Sequence, residues 1–595
     1  MRSLAMAGPA VHDRRMRTKP TIRANEQGVP VLGPGCAAAI VATVALAFSR
    51  GLSGGFVYDD LTLLAQNPAL HDATDYTTIW TAPLWGEQLG HWRPLTAQLF
   101  AFSWSLTPGS ALGIHAVALV LHVLAAIAAA RIALSLTLPR AFAVLGALLF
   151  ALHPANAETV GWCASLNDAL LCACSIGALD QWLRWRITGA KSALAAAHVL
   201  AAAAMLAKEA GALTPVLLLA TDVVLGRTKL VARSAPTLLL LVVAWLVART
   251  LVFGDLAAGF DRTTFTHPGS TLANAASVGT GLLRRLALPL RADMFEGPAH
   301  VGMISFAIAL ALVAALAAFA WRRGPAGRVA CVLIGTSLLP PILAVQNLGP
   351  YPVADRYLAL ATVGLGLAIA NGAARHGATV RGTMCALVAI YAIATWIRLP
   401  HWHDQETFIS RSLAARPDEP RLHLMRGTLL LERAQSGDAA AIEPATTALQ
   451  NAKRLLGDEL VRQDELASLR RDVAVALAWT SMFATSPSGQ PDWARVEREF
   501  LFVTANWPDR ADAWVGLGVA RAASGQLEAG IRDLQHAVQL DPGAPAARFN
   551  LAKVLHLEGS LQGAEEQLRE ALRIRPGDPQ ASALLEEVLR QRQRR

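Results

Sequence analysis

The chain has 595 residues, of which 53% are hydrophobic and only 16% charged, and its mean hydropathy is +0.37. Such a composition excludes a soluble globular protein of this size and indicates a membrane protein. The formal net charge of +9 would suit a nucleic-acid binder. The basic residues, however, cluster in short loops between apolar runs, as in membrane proteins with a defined orientation. Nucleic acid is therefore not predicted as a partner.

Charged residues are sparse between about residues 31 and 398 and dense from residue 399 onward. This shift predicts a cytoplasmic N-terminal tail over 1–32, a membrane domain over 33–398 and a soluble domain after it. The soluble part contains no cysteine, so the sequence indicates no disulfide framework. All six cysteines lie in apolar segments, without the spacing of zinc ligands.

The apolar runs predict about eleven membrane-spanning helices and one amphipathic helix. Residues 272–291 contain Arg284 and Arg285 among leucines, and two adjacent arginines at bilayer depth would be costly. This segment is therefore predicted to lie on the outer surface. The basic loops then place the first loop, 51–111, and the C-terminal domain on the non-cytoplasmic side. The predicted spans are residues 33–49, 113–136, 141–153, 160–181, 192–207, 210–226, 235–253, 300–320, 328–345, 357–374 and 380–397.

Two adjacent carboxylates, Asp59 and Asp60, follow the first predicted span directly. Carboxylates where a helix leaves the bilayer are costly unless they have a function or a partner. Such a pair can act as a general base on a hydroxyl group, or it can hold a metal ion. The ordinary alternative is a solvated turn, because aspartate favours turns.

The predicted topology brings further polar side chains to the outer ends of the spans. Each could have an ordinary role, as a snorkelling cation or a helix-capping acid. Their joint position on one face of the membrane is better evidence for an active site than any single motif. The group comprises Asp59, Asp60, Arg93, His153, Glu158, Lys208, Glu209, Asp355 and Arg356.

The C-terminal part has the periodicity of helical repeats. A spacing of 34 residues is typical of tetratricopeptide helix pairs, and three prolines recur at this interval: Pro508, Pro542 and Pro576. The sequence predicts two such repeats over 511–578, degenerate helical repeats over 399–510, and a capping helix with a basic tail over 579–595. Stacks of this kind present a surface that binds peptide-like partners.

Several short motifs follow one another at compatible spacing: Phe56-Val-Tyr-Asp-Asp, Trp92-Arg-Pro-Leu, Gly113-Ile-His, Leu152-His-Pro-Ala-Asn-Ala-Glu, Lys208-Glu and Asp355-Arg-Tyr-Leu. On these motifs the chain resembles the membrane-bound protein O-mannosyltransferases that carry C-terminal tetratricopeptide repeats, within the GT-C class of glycosyltransferases. It departs from the family pattern at Ala118, where the family usually has Asn, and at Leu166, where it usually has Arg.

The resemblance implies an all-α fold, with a GT-C-like membrane bundle followed by a tetratricopeptide solenoid. It implies transfer of a mannose-like sugar from a polyprenyl-phosphate donor in the lipid to a Ser or Thr hydroxyl of a protein, which the repeats could hold. Asp59 would take the acceptor proton, and Asp60 would orient it or bind sugar hydroxyls. Lys208, Arg356 and Arg93 would stabilise the phosphate. The residues implied to position the substrates are His115, His153, Glu158, Glu209 and Asp355.

No metal or other cofactor is predicted, although the acid pair and the phosphate could hold a divalent ion. The alternative function is a non-enzymatic membrane scaffold whose working part is the repeats. A transporter is disfavoured because transporters place charged segments near the bilayer midplane, whereas here the polar clusters lie at one surface. The Ala- and Arg-rich composition favours a bacterial inner membrane over an endoplasmic reticulum, with the repeats in the periplasm or lumen.

Overall fold

The structure is a computed structural model that describes residues 31–84, 91–255, 271–289, 293–297, 303–345, 348–376, 378–457, 466–484 and 490–594. Residues 1–30 of the predicted cytoplasmic tail lie outside the described residues. The chain divides into two compact units, Met1–Phe408 and Ile409–Arg595. Within the described residues the fold is all-helical, and the one β-type contact is an isolated bridge between Glu296 and Val353. The all-α prediction is confirmed.

The first unit is a bundle of α-helices. In chain order its helices are α1 (Pro34–Phe48), α2 (Tyr76–Thr81), α3 (Pro94–Leu106), α4 (Leu112–Ser135), α5 (Arg140–Ala151), α6 (Asn156–Gly161), α7 (Leu166–Thr188), α8 (Lys191–Ala207), α9 (Thr214–Val224), α10 (Thr228–Phe253), α11 (Thr271–Ala287), α12 (Met303–Arg322), α13 (Pro325–Leu343), α14 (Ala359–Ala373) and α15 (Ala378–Arg398).

Seven helical stretches in the described part of the chain are long and apolar enough to cross a membrane: Pro34–Ser53, Leu112–Ser135, Cys163–Thr188, Thr228–Phe253, Pro325–Leu343, Asp355–Ala373 and Thr379–Trp402. Three shorter apolar helices accompany them: Arg140–Ala151, Lys191–Ala207 and Leu310–Arg322. The membrane character of the bundle therefore agrees with the sequence. The number of eleven spans stays a prediction.

Helix α7 lies in the interior of this bundle, where most of its residues are buried, and packs against α4 and α8. Gly189, in the left-handed conformation with φ of 73°, ends it. Elsewhere, α5 and α14 approach each other very closely. A Cβ atom at Gly366 would come within 2.3 Å of the backbone oxygen of Gly146. Small residues allow such close helix packing where no hydrophobic effect drives association.

The segment predicted to be a surface helix, 272–291, forms α11 over Thr271–Ala287. One of its faces is buried in the protein, where Val278 and Leu282 pack in a cluster with Val353 and Leu358. Whether α11 also lies at a membrane surface stays a prediction.

The second unit consists of helix pairs. Together with the helix that leads into it, its elements are α16 (Gln405–Ala415), α17 (Pro420–Gln435), α18 (Ile442–Leu456), α19 (Ala467–Phe483), α20 (Trp493–Asn506), α21 (Ala511–Ala523), α22 (Leu527–Leu540), α23 (Pro545–Glu558), α24 (Leu561–Ile574) and α25 (Pro579–Arg594). Helices α21 and α22 cross at Gly518 and Gly530, where a Cβ on Gly530 would come within 2.6 Å of the Gly518 oxygen. Large residues such as the buried Phe500 fill the space between pairs.

Candidate active site

The acid pair lies in a tight turn between α1 and α2. The Asp60 carboxylate is fully buried and accepts hydrogen bonds from two backbone N–H groups, those of Val57 at 3.1 Å and Ala164 at 2.7 Å. Asp59, its neighbour, is only half-buried. The turn therefore separates the two aspartates: one anchors the backbone, and the other remains accessible.

Burial raises the pKa of the Asp60 carboxyl well above its usual range, although the N–H groups of Val57 and Ala164 act in the opposite direction. A group held in this way is suited to fixing the turn. It is less suited than Asp59 to collecting protons from a substrate, because a general base must reach the hydroxyl group. The assignments of Asp59 as the base and Asp60 as the residue that orients it stay predictions.

Trp162 connects this turn to the predicted phosphate-binding residues. Its indole Nε1 donates to the backbone oxygen of Val57 at 3.4 Å. The guanidinium carbon of Arg356 lies 5.3 Å from the centre of the Trp162 ring and 5.0 Å from that of Tyr357. The ammonium of Lys208 lies 5.4 Å from the same Tyr357 ring. Two aromatic rings thus bring the acid turn, Arg356 and Lys208 to one end of the bundle, and cations over aromatic faces are attracted by the rings.

Each predicted phosphate-binding cation has a carboxylate partner. Lys208 Nζ lies 2.5 Å from Asp168 Oδ1, at the beginning of α7. Arg356 Nη1 donates to Glu158 Oε1 at 2.7 Å, and the second oxygen of Glu158 accepts from the backbone N–H of Asp355 at 3.2 Å. Glu158 therefore holds both the side chain and the backbone of the turn that carries Arg356.

Arg93 and Glu209 form a bidentate pair, with Arg93 Nη2 at 2.7 Å and Nε at 3.0 Å from the same Glu209 oxygen. His91 Nδ1 lies 3.4 Å from the other oxygen. Burial alone would raise the pKa of Glu209, but the charges and hydrogen bonds of Arg93 and His91 together outweigh it and hold that pKa below its usual range. The pair fixes the residue directly after Lys208 in the chain. Glu209 is consequently ionised, and Arg93 balances its charge within the protein.

The two predicted histidines are buried in protein contacts. His153 Nδ1 accepts from the backbone N–H of Ala155 at 3.3 Å, so its Nε2 carries the proton and donates to the Leu286 oxygen at 3.0 Å. Both ring nitrogens of His153 are thus satisfied within the protein. His115 Nε2 lies 3.5 Å from the Cys163 sulfur. Roles for both histidines in positioning a substrate stay predictions.

The structure also reveals charged partners that sequence reasoning did not assign. Asp355 is buried and bound by Arg285 of α11, at 2.9 Å, and by Arg398 at the end of α15. Arg285 also contacts Glu296 at 2.7 Å. The signal for Arg285 was present, since two arginines stand in an apolar segment, but the cost of such charges at bilayer depth led to their assignment to the membrane surface. Asp168 carried a similar signal, as a carboxylate inside an apolar run.

Within the described ranges, no group of three or more His, Cys, Asp or Glu side chains is arranged to hold a metal ion. The acid turn offers one anchored and one half-buried carboxylate. The prediction that no metal is required stays a prediction.

Comparison with known proteins adds the family context. Residues 489–545 and 521–588 match models of the tetratricopeptide repeat. The protein O-mannosyl-transferase Tmtc2 of Drosophila melanogaster is 32% identical over 254 residues, which cover 40% of this chain and 27% of the relative. The human protein O-mannosyl-transferase TMTC4 is 32% identical over 167 residues, 24% of this chain and 22% of the relative.

This chain is similar to the protein O-mannosyl-transferases. The predicted resemblance is thereby confirmed. The mouse protein O-mannosyl-transferase TMTC3 is 31% identical over 127 residues, 20% of this chain and 14% of the relative. The chain thus spans about a third or less of the length of these curated relatives. Among solved structures, the match to a tetratricopeptide protein of Thermus thermophilus covers 34% of this chain and 94% of that protein, at 18% identity and a low TM-score of 0.25.

Proposed function

We propose that this chain is a membrane glycosyltransferase that moves a mannose from a polyprenyl-phosphate carrier to a Ser or Thr hydroxyl of a protein. The observation that carries this proposal is the Trp162 contact. It joins the turn of Asp59 and Asp60 to Arg356, in a chain similar to protein O-mannosyl-transferases. A base and a cation adjacent to one another are what transfer from a phosphate donor to an alcohol requires.

In the proposed reaction, the acceptor hydroxyl oxygen forms a bond to the anomeric carbon of the sugar as its proton passes to Asp59. The bond between that carbon and the phosphate oxygen breaks, and the phosphate leaves with the electron pair. Charge grows on the departing phosphate, so cations placed in advance lower the barrier. Aromatic contacts with Trp162 and Tyr357 connect Arg356 and Lys208 to the acid turn, and Arg93 fixes Glu209, the residue after Lys208.

The carboxylate partners do not prevent this role. Arg356 donates to Glu158 through Nη1, and a guanidinium has five N–H groups with which it can also meet a phosphate. Likewise, an ammonium has three donors, and Lys208 directs one of them to Asp168. The partners hold both cations in fixed positions, which removes the need to reorganise them when the donor arrives.

We place the reaction on the non-cytoplasmic side of a bacterial inner membrane, with the N-terminus in the cytoplasm and the acceptor protein held by the tetratricopeptide repeats. The donor's isoprenoid tail would remain in the bilayer and present its phosphate at the membrane surface. A reporter fused within 51–111 tests the orientation: a cytoplasmic signal would contradict it.

The deciding experiment is transfer by the purified full chain in lipid nanodiscs, with polyprenyl-phosphate mannose and a Ser/Thr-containing protein substrate, read by intact mass. The Asp59→Asn variant should lose about 10²–10⁴-fold in kcat, the range of general-base catalysis. Asp72→Asn is the matched control, because Asp72 is an exposed acid of the same loop whose side chain bonds to the nearby Thr74. Equal transfer by both variants would remove Asp59 from the mechanism.

The tetratricopeptide matches favour one alternative function, that of a membrane-anchored scaffold whose repeats assemble other proteins. A scaffold would keep its partners in the Asp59→Asn variant and would add no mass to any of them. Mannose transfer that depends on Asp59 excludes it as the main function.

A further inference from the structure

The segment that follows the last apolar helix, residues 402–408, contacts the acid turn. His403 accepts a hydrogen bond through its backbone oxygen from the Gly55 N–H at 2.7 Å. Gln405 accepts through its side-chain oxygen from the Tyr58 N–H at 2.8 Å, across 347 residues of sequence. The 402–408 segment therefore holds the backbone immediately before Asp59.

Tyr58 has an unusual backbone conformation. Its φ is +54°, in the left-handed region that residues other than glycine rarely adopt. The phenol ring is held from three sides, with ring centres at 5.7 Å from Phe408, 5.6 Å from Phe295 and 6.3 Å from Trp162. A strained conformation persists only where its surroundings impose it, and such sites cluster where function needs them.

The backbone direction at Tyr58 decides where Asp59 points. Asp60 on the far side is fixed by its bonds to the N–H groups of Val57 and Ala164. Asp59 thus lies between two residues that the tertiary structure holds in place. If the Tyr58 backbone relaxed to a common conformation, the Asp59 carboxylate would change direction although no atom of Asp59 had been altered.

We infer that Gln405 is a positioning residue for Asp59. Its side-chain oxygen holds the Tyr58 N–H, keeps the left-handed turn in place and so fixes the direction from which the Asp59 carboxylate meets the acceptor hydroxyl. This inference rests on the proposed function, because it concerns how the base of that reaction is aimed.

The test compares a substitution that removes the accepting oxygen with one that keeps it. Gln405→Leu removes the oxygen at similar volume, whereas Gln405→Glu keeps an oxygen at the same reach. In the mannose-transfer assay, at a pH above the carboxylate range, the Leu variant should lose about 10- to 100-fold in kcat, the usual cost of misplacing a catalytic group by about 1 Å. Its KM for the lipid donor should be unchanged, and the Glu variant should keep most of the kcat.

Gln98→Leu is the matched control. Gln98 of α3 also bonds to a distant part of the sequence: it accepts from the indole of Trp80 at 3.2 Å and donates to the Ala73 oxygen at 2.9 Å. A general loss of folding would lower the yield of active chain for both Leu variants. A loss of kcat in Gln405→Leu alone, restored in Gln405→Glu, is not expected from a merely structural role.

Hydrogen–deuterium exchange of the full chain in nanodiscs gives a readout without activity. The Tyr58 amide should exchange faster in Gln405→Leu than in wild type or Gln405→Glu, because local opening governs exchange. Exchange and kcat in Gln405→Leu that both equal those of Gln98→Leu would overturn the inference while leaving the proposed function intact. A wild-type chain with no more transfer than Asp59→Asn would overturn the proposed function, and the inference with it.

Discussion

The bundle unit and the repeat unit both contain ion pairs, and pairs from the two units differ in their exposure to water. In the bundle, Glu158 and Asp355 are each only 1% exposed, and arginines reach them in the interior. In the repeat unit, Arg510 pairs with Asp512, whose side chain is 42% exposed, although Asp533 in its pair with Arg521 is buried. The pairs of Glu158 and Asp355 are therefore buried, whereas that of Asp512 is hydrated.

This difference in burial changes how much each pair contributes to the free energy of folding. Taking an ion pair out of water costs free energy that the attraction between the charges often does not recover, so a buried pair is poor evidence for stability. A hydrated pair costs and contributes little. The buried pairs of Glu158 and Asp355 are therefore poor evidence for stability, and the catalytic function proposed above accounts for them. The exposed Arg510–Asp512 pair needs no such explanation.

The largest effect should come from breaking a buried pair. Glu158→Gln leaves Arg356 without its carboxylate and weakens the bond to the Asp355 N–H, which should cost about 3 kcal/mol of stability. Asp512→Asn in the repeat unit should cost less than about 1 kcal/mol, because its pair is exposed. Thermal unfolding of the full chain in detergent measures both. Equal shifts in the unfolding temperature would contradict the expected difference between the buried pair and the exposed pair.

The next effect separates two lysines that both lie over aromatic rings. Lys208 lies over Tyr357 at 5.4 Å, and Lys553 of the repeat unit lies over Phe549 at 5.7 Å. Lys208→Met should lower kcat for mannose transfer by about 10²-fold, the cost of losing one group that stabilises developing charge. Lys553→Met should leave kcat unchanged. A Lys208→Met variant that raises only KM would assign Lys208 to donor binding alone.

The smallest effect is a pH dependence of stability that originates at Asp60. Because burial raises its pKa in the folded chain, the folded state binds this proton more tightly than the unfolded state does. Its contribution to stability is then fully present below the unfolded pKa of about 3.9 and is lost as the pH rises through the folded value.

Asp60→Asn should remove this dependence. The difference in unfolding temperature between wild type and variant should therefore change as the pH rises above about 4, with the wild type losing stability relative to the variant. A parallel pH profile for the two proteins would show that Asp60 ionises normally in the fold.

The sequence alone was enough to predict the main features of the architecture. Long apolar runs such as the one that became α4, and the 34-residue spacing of Pro508, Pro542 and Pro576, are local patterns. Hydropathy and helical periodicity depend on residues close to one another in the chain, so they predicted the all-α fold and the tetratricopeptide repeats without knowledge of the packing.

The sequence also identified candidate functional residues, because a charged side chain in an apolar segment is costly wherever it lies in the fold. Only the tertiary structure decided the partners. Lys208 pairs with Asp168, 40 residues away, and not with the adjacent Glu209, while Tyr58 bonds to Gln405 across 347 residues. Such contacts arise from how whole helices pack, and no local pattern contains that information.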